Sequence, residues 1–172
     1  MSLKDIIFAT QAELRAKAEL ARATFVVDSR QVEGLRSEAR IRQFTVAVDA
    51  PPSFGGGDAG PNPVELALAA LAASQEIAYR AYASALDVPL DSVSVRLEGT
   101  LDLRGFFAVK DDVRPGFAGV RGVVELKSPA TASELEKLKA VVDACCPVLD
   151  TLQSPTPVEL QLVIVDSAPL TK

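Results

Sequence analysis

The alternation of apolar and polar residues predicts a helix followed by a β-rich segment in the first third of the chain. Within residues 1–20, apolar side chains mix with alternating charges, and the absence of glycine and proline from 3–20 favours a helix. Residues 21–61 indicate a β-meander that ends in a loop. Apolar runs at 24–27 and 44–48 predict strands, Glu33-Gly34 predicts a turn, and 49–61 is dense in glycine and proline.

A long central helix over 62–86 is the clearest element of the pattern. Asn62 is a good N-cap, Pro63 suits the first helical position, and Glu65 stands at the capping-box position. Pro89 lies just beyond the predicted end. The chain therefore carries both the start and the stop signals of a helix around this stretch.

Ser74 is the lone hydroxyl in a stripe of small residues on one face of this helix, where another backbone could approach closely. A buried hydroxyl requires a hydrogen-bond partner. We expect that partner to be the carbonyl of Ala70, one helical turn earlier.

The remaining part, 91–172, predicts strands and helices in alternation. Strands are expected at 93–101, 119–126 and 158–165, with the last as the closing strand. A capping box of Thr131 and Glu134 predicts a helix that ends at Cys145 and Cys146, and Pro147 can open a short helix over 147–152. Antiparallel-looking strand groups with helices between them predict an α+β fold in one domain over 1–172.

Composition narrows the function. The 172 residues carry 18 basic and 23 acidic side chains, so a net charge of −5 argues against a nucleic-acid partner. No stretch approaches the apolar length of a membrane span, which argues against a membrane partner, and the N-terminus lacks a signal-peptide pattern. Two adjacent thiols do not form a disulfide framework. We expect a cytoplasmic protein.

Cys145 and Cys146 are the only cysteines, and the chain has no histidine. A serine–histidine triad is thus impossible, and zinc would lack its usual imidazole ligands. The run 55–60 formally matches a dinucleotide motif, but the neighbouring prolines and Asp58 oppose that function. We predict no cofactor and no metal.

Adjacent cysteines do not pair easily, since their Cα atoms lie about 3.8 Å apart whereas disulfides favour roughly 4.4–6.8 Å.

Several segments together resemble the OsmC/Ohr family, named for osmotically inducible protein C and organic hydroperoxide resistance protein. The resemblance rests on residues 49–66 (Asp-Ala-Pro-Pro-Ser-Phe-Gly-Gly-Gly-Asp-Ala-Gly-Pro-Asn-Pro-Val-Glu-Leu), 71–82 (Leu-Ala-Ala-Ser-Gln-Glu-Ile-Ala-Tyr-Arg-Ala-Tyr), 103–107 (Leu-Arg-Gly-Phe-Phe), 113–117 (Val-Arg-Pro-Gly-Phe), 146–149 (Cys-Pro-Val-Leu) and 154–158 (Ser-Pro-Thr-Pro-Val). It implies antiparallel sheets around the long central helix, in an intertwined homodimer with two sites at the subunit interface.

The resemblance also implies a chemistry. In the family, a cysteine on the central helix attacks an organic hydroperoxide and becomes a sulfenic acid. A second cysteine, in a Cys-Pro motif, resolves it as a disulfide, and a small or lipoyl-type thiol reductant restores the dithiol. Cys146 matches the resolving cysteine, and the attacking position is Ser74.

Other family site residues match less well. The hydroperoxide-resistance branch has a glutamate ten residues before the attacking cysteine, where this chain has Val64, with Glu65 one residue later. That branch also uses an arginine from its N-terminal half, for which Arg36, Arg40 and Arg42 are candidates. We therefore expect Glu65 and one of these arginines to bind ligand at the site.

Three functions remain open from the sequence. The first is a silent or altered OsmC-like dimer that binds a small hydroperoxide, apolar or acidic ligand at its interface. The second is a relocated thiol peroxidase in which Cys146 attacks and Cys145, or an external thiol, resolves. The third is a structural dimer with two inert buried thiols.

Overall fold

A computed structural model describes residues 1–165. Within them, helices and strands occur in the following order: α1 Leu3–Ala16, β1 Asp28–Glu33, β2 Arg36–Ile41, β3 Phe44–Val48, α2 Pro63–Ala85, β4 Ser92–Leu101, α3 Leu103–Phe106, β5 Phe117–Lys127, α4 Ala132–Cys145 and α5 Pro147–Gln153. Both sheets are antiparallel, with orders β1-β2-β3 and β4-β5. The predicted α+β class is confirmed.

The meander of β1–β3 is real, but its strands differ from those predicted. Gly34 at φ +53° makes the expected turn between β1 and β2. The strand predicted at 24–27 is wrong: this run lies outside regular structure, and Phe25 is 91% exposed. The polar strand β2 was not anticipated. It forms by backbone pairing with β1 on one side and with β3 on the other, and such pairing does not require apolar side chains.

The long helix α2 begins as its capping signals predict. The Asn62 side chain accepts hydrogen bonds from the backbone N–H groups of Val64 and Glu65. The Glu65 carboxylate in turn accepts from the Asn62 N–H at 2.7 Å, which completes the capping box. None of the helices in 1–165 combines the length and the apolarity that a bilayer crossing requires.

The core lies where α2 packs on α4. It consists of Ala78, Tyr79, Ala83, Leu138 and Val142, with inward-facing residues of β4 and β5 packed against it. The alanines of α2 allow this close approach.

The turn between α4 and α5 is built on one residue. Thr131 caps α4 through the backbone N–H of Glu134, and Cys146 serves as both the C-cap of α4 and the N-cap of α5. Both predicted helices are confirmed. The predicted closing strand at 158–165 is not formed: these residues lie outside regular structure and are exposed, and no strand within 1–165 pairs with them. Alternating apolar and polar residues form a strand only where the edge of another strand is available for pairing.

Candidate functional site

The hydroxyl of Ser74 and the sulfur of Cys146 lie 3.2 Å apart, although 72 residues separate them in sequence. Helix α2 supplies the serine, and the α4–α5 turn supplies the cysteine. Either group can donate the hydrogen bond. The expected bond from Ser74 to the carbonyl of Ala70 is wrong, because the Cys146 sulfur satisfies the hydroxyl instead.

The position of Cys146 is fixed by backbone hydrogen bonds on both sides. Its N–H donates to the carbonyl of Val142 at 2.9 Å, and its carbonyl accepts from the N–H of Asp150 at 3.1 Å. Pro147 is well placed next to it, because the first helical residue needs no N–H donor. The residue is only 1% exposed, so its thiol lies against α2, away from water.

Cys145 has a different environment from its neighbour. It is exposed and, like Cys146, is a free thiol. The pKa of Tyr82 is raised, first by the hydrogen bond of its hydroxyl with the Cys145 side chain, then by burial and by the charge of that thiol. Ser74 and Tyr82 are separated by about 12 Å along the axis of α2. The two neighbouring thiols therefore differ in environment: Cys146 is buried against Ser74, and Cys145 is exposed near Tyr82.

Glu65 does not join the Ser74–Cys146 pair. Its carboxylate is engaged in capping α2, and the residue is exposed. It precedes Ser74 by nine residues, which corresponds to about 13 Å along the helix axis. Within 1–165, the observed contacts of Glu65 are those of a helix cap.

Among the three candidate arginines, Arg36 is the most enclosed. Its Nε atom is buried and has no hydrogen-bond partner within 1–165, and its guanidinium lies 3.8 Å from Glu38. Its charge also acts on Asp49, a buried carboxylate at the end of β3. Arg36 therefore lies beside the loop that leads into α2.

Asp49 was not singled out from the sequence. Its carboxylate accepts hydrogen bonds from the backbone N–H groups of Ala50, Gly57 and Ala59. These bonds, foremost that from Ala59, outweigh burial and together with the charge of Arg36 lower the pKa of Asp49. The available signal was a carboxylate two residues before Pro51-Pro52, at the start of the glycine-rich loop. Its role here is to hold that loop in shape.

Arg40 and Arg42 lie on the exposed meander. Arg42 adopts φ 55° in the turn between β2 and β3, and its guanidinium lies 5.3 Å from the ring centroid of Phe44. Neither arginine side chain forms a hydrogen bond or an ion pair within 1–165. This chain alone does not bring them to Ser74 and Cys146.

An open groove of about 870 Å³ lies between the β4–β5 sheet and helices α2, α4 and α5, and neither Ser74 nor Cys146 is among its lining residues. Its helical wall includes Leu71, Gln75 and Tyr79 from α2. Gln75 follows Ser74 directly and is only 5% exposed. The rim carries the cations Arg114 and Arg121. The groove is thus a separate, largely apolar surface that comes nearest in sequence to the hydroxyl–thiol pair at Gln75.

Comparison with known proteins gives one family and one fold. The family model described as OsmC-like protein matches residues 55–161. No curated protein sequence matches the chain. An OsmC-like protein from Mycoplasma pneumoniae is 21% identical, with a TM-score of 0.67 over 76% of this chain and 88% of that one.

Two further structures bear names that refer to hydroperoxides. An organic hydroperoxide resistance protein OsmC from Legionella pneumophila is 23% identical, with a TM-score of 0.58 over 77% of this chain and 92% of that one. One from Elizabethkingia anophelis, with thiocyanate bound, is 15% identical, with a TM-score of 0.55 over 77% of this chain and 91% of that one. At these identities the likeness concerns the fold.

Proposed function

The chain belongs to the OsmC-like family, and we propose that it is a member in which the two-cysteine reduction of organic hydroperoxides has been lost. The observation that carries this proposal is the 3.2 Å contact between Ser74 Oγ and Cys146 Sγ. It supports the view that Ser74 occupies the attacking position opposite the resolving cysteine.

The chemistry of the two groups explains the loss. A peroxidatic cysteine attacks as a thiolate and accepts one peroxide oxygen to become a sulfenic acid. A serine hydroxyl is not ionised near neutrality and has no corresponding oxidation step. Cys146 would then have no sulfenic acid to resolve, so a thiol reductant would have no disulfide to reduce.

We further propose that the protein works as a homodimer that binds a small hydroperoxide, apolar or acidic ligand at the Ser74–Cys146 site without consuming it. Two uncovered apolar surfaces support the dimer. One is a face of the meander formed by Ala39, Ile41, Phe44, Val46 and Val48, with Phe44 52% exposed. The other surrounds Ile77 on α2, which is 71% exposed. Apolar surface of this kind marks an interaction site.

The relocated peroxidase receives less support from the geometry. Cys146 is buried against the Ser74 hydroxyl, while Cys145 is exposed and is not bonded to that hydroxyl. A disulfide between adjacent cysteines would be strained. The two free thiols do agree with a reducing compartment, and we propose that the protein is cytoplasmic.

Peroxide consumption tests the proposal. Wild-type protein, Ser74→Cys and Cys146→Ser are each mixed with cumene hydroperoxide and an excess of dihydrolipoamide, and residual peroxide is followed over time. We expect wild type and Cys146→Ser to match the protein-free rate, and Ser74→Cys to exceed it. Wild-type turnover that Cys146→Ser abolishes would contradict the proposal and establish the relocated peroxidase instead.

A further inference from the structure

Residues 102–116, called the tip segment below, connect β4 to β5 and carry the short helix α3. None of these residues is buried. The segment nevertheless has large apolar side chains, with Phe106 64% and Val109 70% exposed. Helix α3 does not pack extensively on another helix or strand within 1–165. The core therefore gains little from the tip segment, which belongs to the least stable part of the fold.

The hydrogen bonds of the tip segment join its own residues. Helix α3 ends in a Schellman pattern, in which the N–H of Val109 donates to the carbonyl of Arg104 at 2.8 Å. The N–H of Ala108 donates to the carbonyl of Gly105 at 3.3 Å. At the start of α3, the Asp102 carboxylate accepts hydrogen bonds from the backbone N–H and the guanidinium of Arg104. The segment is thus an internally bonded unit.

The backbone of this unit is tight and, at one residue, strained. A Cβ atom on Gly105 would lie 2.6 Å from the carbonyl oxygen of Val113, so the two arms of the segment are in close contact. Ala108 adopts φ 51°, in the left-handed region that glycine favours. Strain of this kind persists only where surrounding contacts maintain it, and it is common in segments that move.

An aromatic contact ties the tip segment to the rest of the fold. The ring centroids of Phe107 and Phe54 are 5.7 Å apart, with an interplanar angle of 71°. Phe54 belongs to the loop before α2, which Asp49 holds in shape. An edge-to-face pair changes an equilibrium by roughly two- to twelvefold beyond the area it buries. The contact is therefore strong enough to favour one position of the segment and weak enough to break readily.

The two ends of the tip segment can act as hinges. The pairing of β4 with β5 shifts register between Thr100 and Leu101, where the ladder is locally disrupted. At the other end, Gly116 has only the flexible Arg114 side chain near its Cα. Residues at the ends of elements commonly absorb the backbone rotation of a hinge. Arg114 and Gly116 also line the 870 Å³ groove at the start of β5.

We propose that the tip segment is a lid, hinged at Leu101 and Gly116, that opens when the contact between Phe54 and Phe107 breaks. Opening carries Arg114 away from the groove and widens it where β5 begins, so the lid controls access to the groove. The structure shows the closed position. The movement is a property of the chain without ligand, and it goes beyond the binding function proposed above.

Relaxation-dispersion NMR on full-length protein tests the lid, because lid motions fall in the microsecond-to-millisecond range that this measurement detects. We expect dispersion at the methyl groups of Leu103 and Val109 and, with the same exchange rate, at the backbone amide of Arg114. Val93 and Leu126, which face each other in β4 and β5, provide reference methyl groups and should show none.

Substitution of the aromatic pair tests what holds the lid closed. Phe54→Ala should raise the population of the open state roughly two- to twelvefold. Phe107→Ala should have a similar effect, and the double variant should add little, since both changes remove the same contact. Phe8→Ala is the matched control: Phe8 is an exposed phenylalanine of α1, and its loss should leave the open population unchanged.

Each remaining outcome would overturn the lid. Absence of dispersion in the tip segment, or equal dispersion at the reference methyl groups, would contradict a local movement. Open-state chemical shifts at random-coil values would indicate that α3 unfolds and does not swing as a unit. Equal responses to Phe54→Ala and Phe8→Ala would contradict the aromatic contact as the closing element. These measurements use neither peroxide nor ligand, so their failure is distinct from failure of the proposed function.

Discussion

Ser74→Cys is the substitution whose consequence the structure defines best. The Ser74 Oγ and Cys146 Sγ atoms are 3.2 Å apart, whereas bonded disulfide sulfurs are about 2.05 Å apart. Replacing the oxygen by a larger sulfur and closing roughly 1.1 Å requires a small side-chain adjustment, given the low cost of torsional change. The new thiol should therefore form a disulfide with Cys146 under oxidising conditions.

The size of the effect follows from the loop that the bond closes. The sequence separation is 72 residues, and for that length the chain-entropy relation gives about 4 kcal/mol of stabilisation at 25 °C. For a protein of this size, each kcal/mol raises Tm by about 2–4 °C. An oxidised variant should thus melt up to about 16 °C above its reduced form, with strain in the bond lowering that difference.

Thiol counting and thermal denaturation provide the assay. The wild-type chain has two cysteines, so the reduced variant has three thiols and the oxidised variant should retain one, that of Cys145. Ser74→Cys combined with Cys146→Ser is the control, and it should gain no stability on oxidation. Three thiols remaining after oxidation, or a disulfide that joins two chains, would refute the placement of residue 74 opposite Cys146.

Three more predictions test the surrounding structure. A thiol reagent should label Cys145 rapidly in native protein and Cys146 only after unfolding, because only the first is exposed; two equally fast thiols would contradict this. The lowered pKa of Asp49 means that its stabilising effect is present at neutral pH and is lost as pH falls below about 4. Asp49→Asn should accordingly lower the urea midpoint at pH 7 more than at pH 3, and an equal loss at both would argue against it. In an ultraviolet titration we expect the pKa of Tyr82 to lie above its ordinary value of 10, and Cys145→Ala to lower it. The same titration curve in both proteins would exclude the effect of Cys145 on Tyr82.

Much of the fold could be predicted because its signals are local. Asn62, Pro63 and Glu65 define the start of α2, and Thr131 with Glu134 defines that of α4. Capping depends on side chains within one turn of the helix end, so the sequence contains all the required information. The meander was predicted less well, because the strand over Arg36–Ile41 is polar and arises from backbone pairing with its neighbours.

The site was less accessible from local patterns. Ser74 and Cys146 meet only after α2 and α4 have packed, so no spacing rule joins residues this far apart, and the family resemblance supplied their expected pairing. Glu65 met the capping rule but stands one residue after the position of the family's glutamate, and in the structure its carboxylate caps the helix. The segment 158–165 has the alternation of a strand, but an isolated segment cannot become one without a partner edge.

The most direct test of the lost peroxidase reaction is a single-turnover experiment on wild-type protein. One equivalent of cumene hydroperoxide is added per chain without a reductant, after which residual peroxide and intact protein mass are measured together. We expect the hydroperoxide to remain and the protein mass to be unchanged. Consumption of one equivalent, with a mass gain of one oxygen or a loss of two hydrogens, would contradict it.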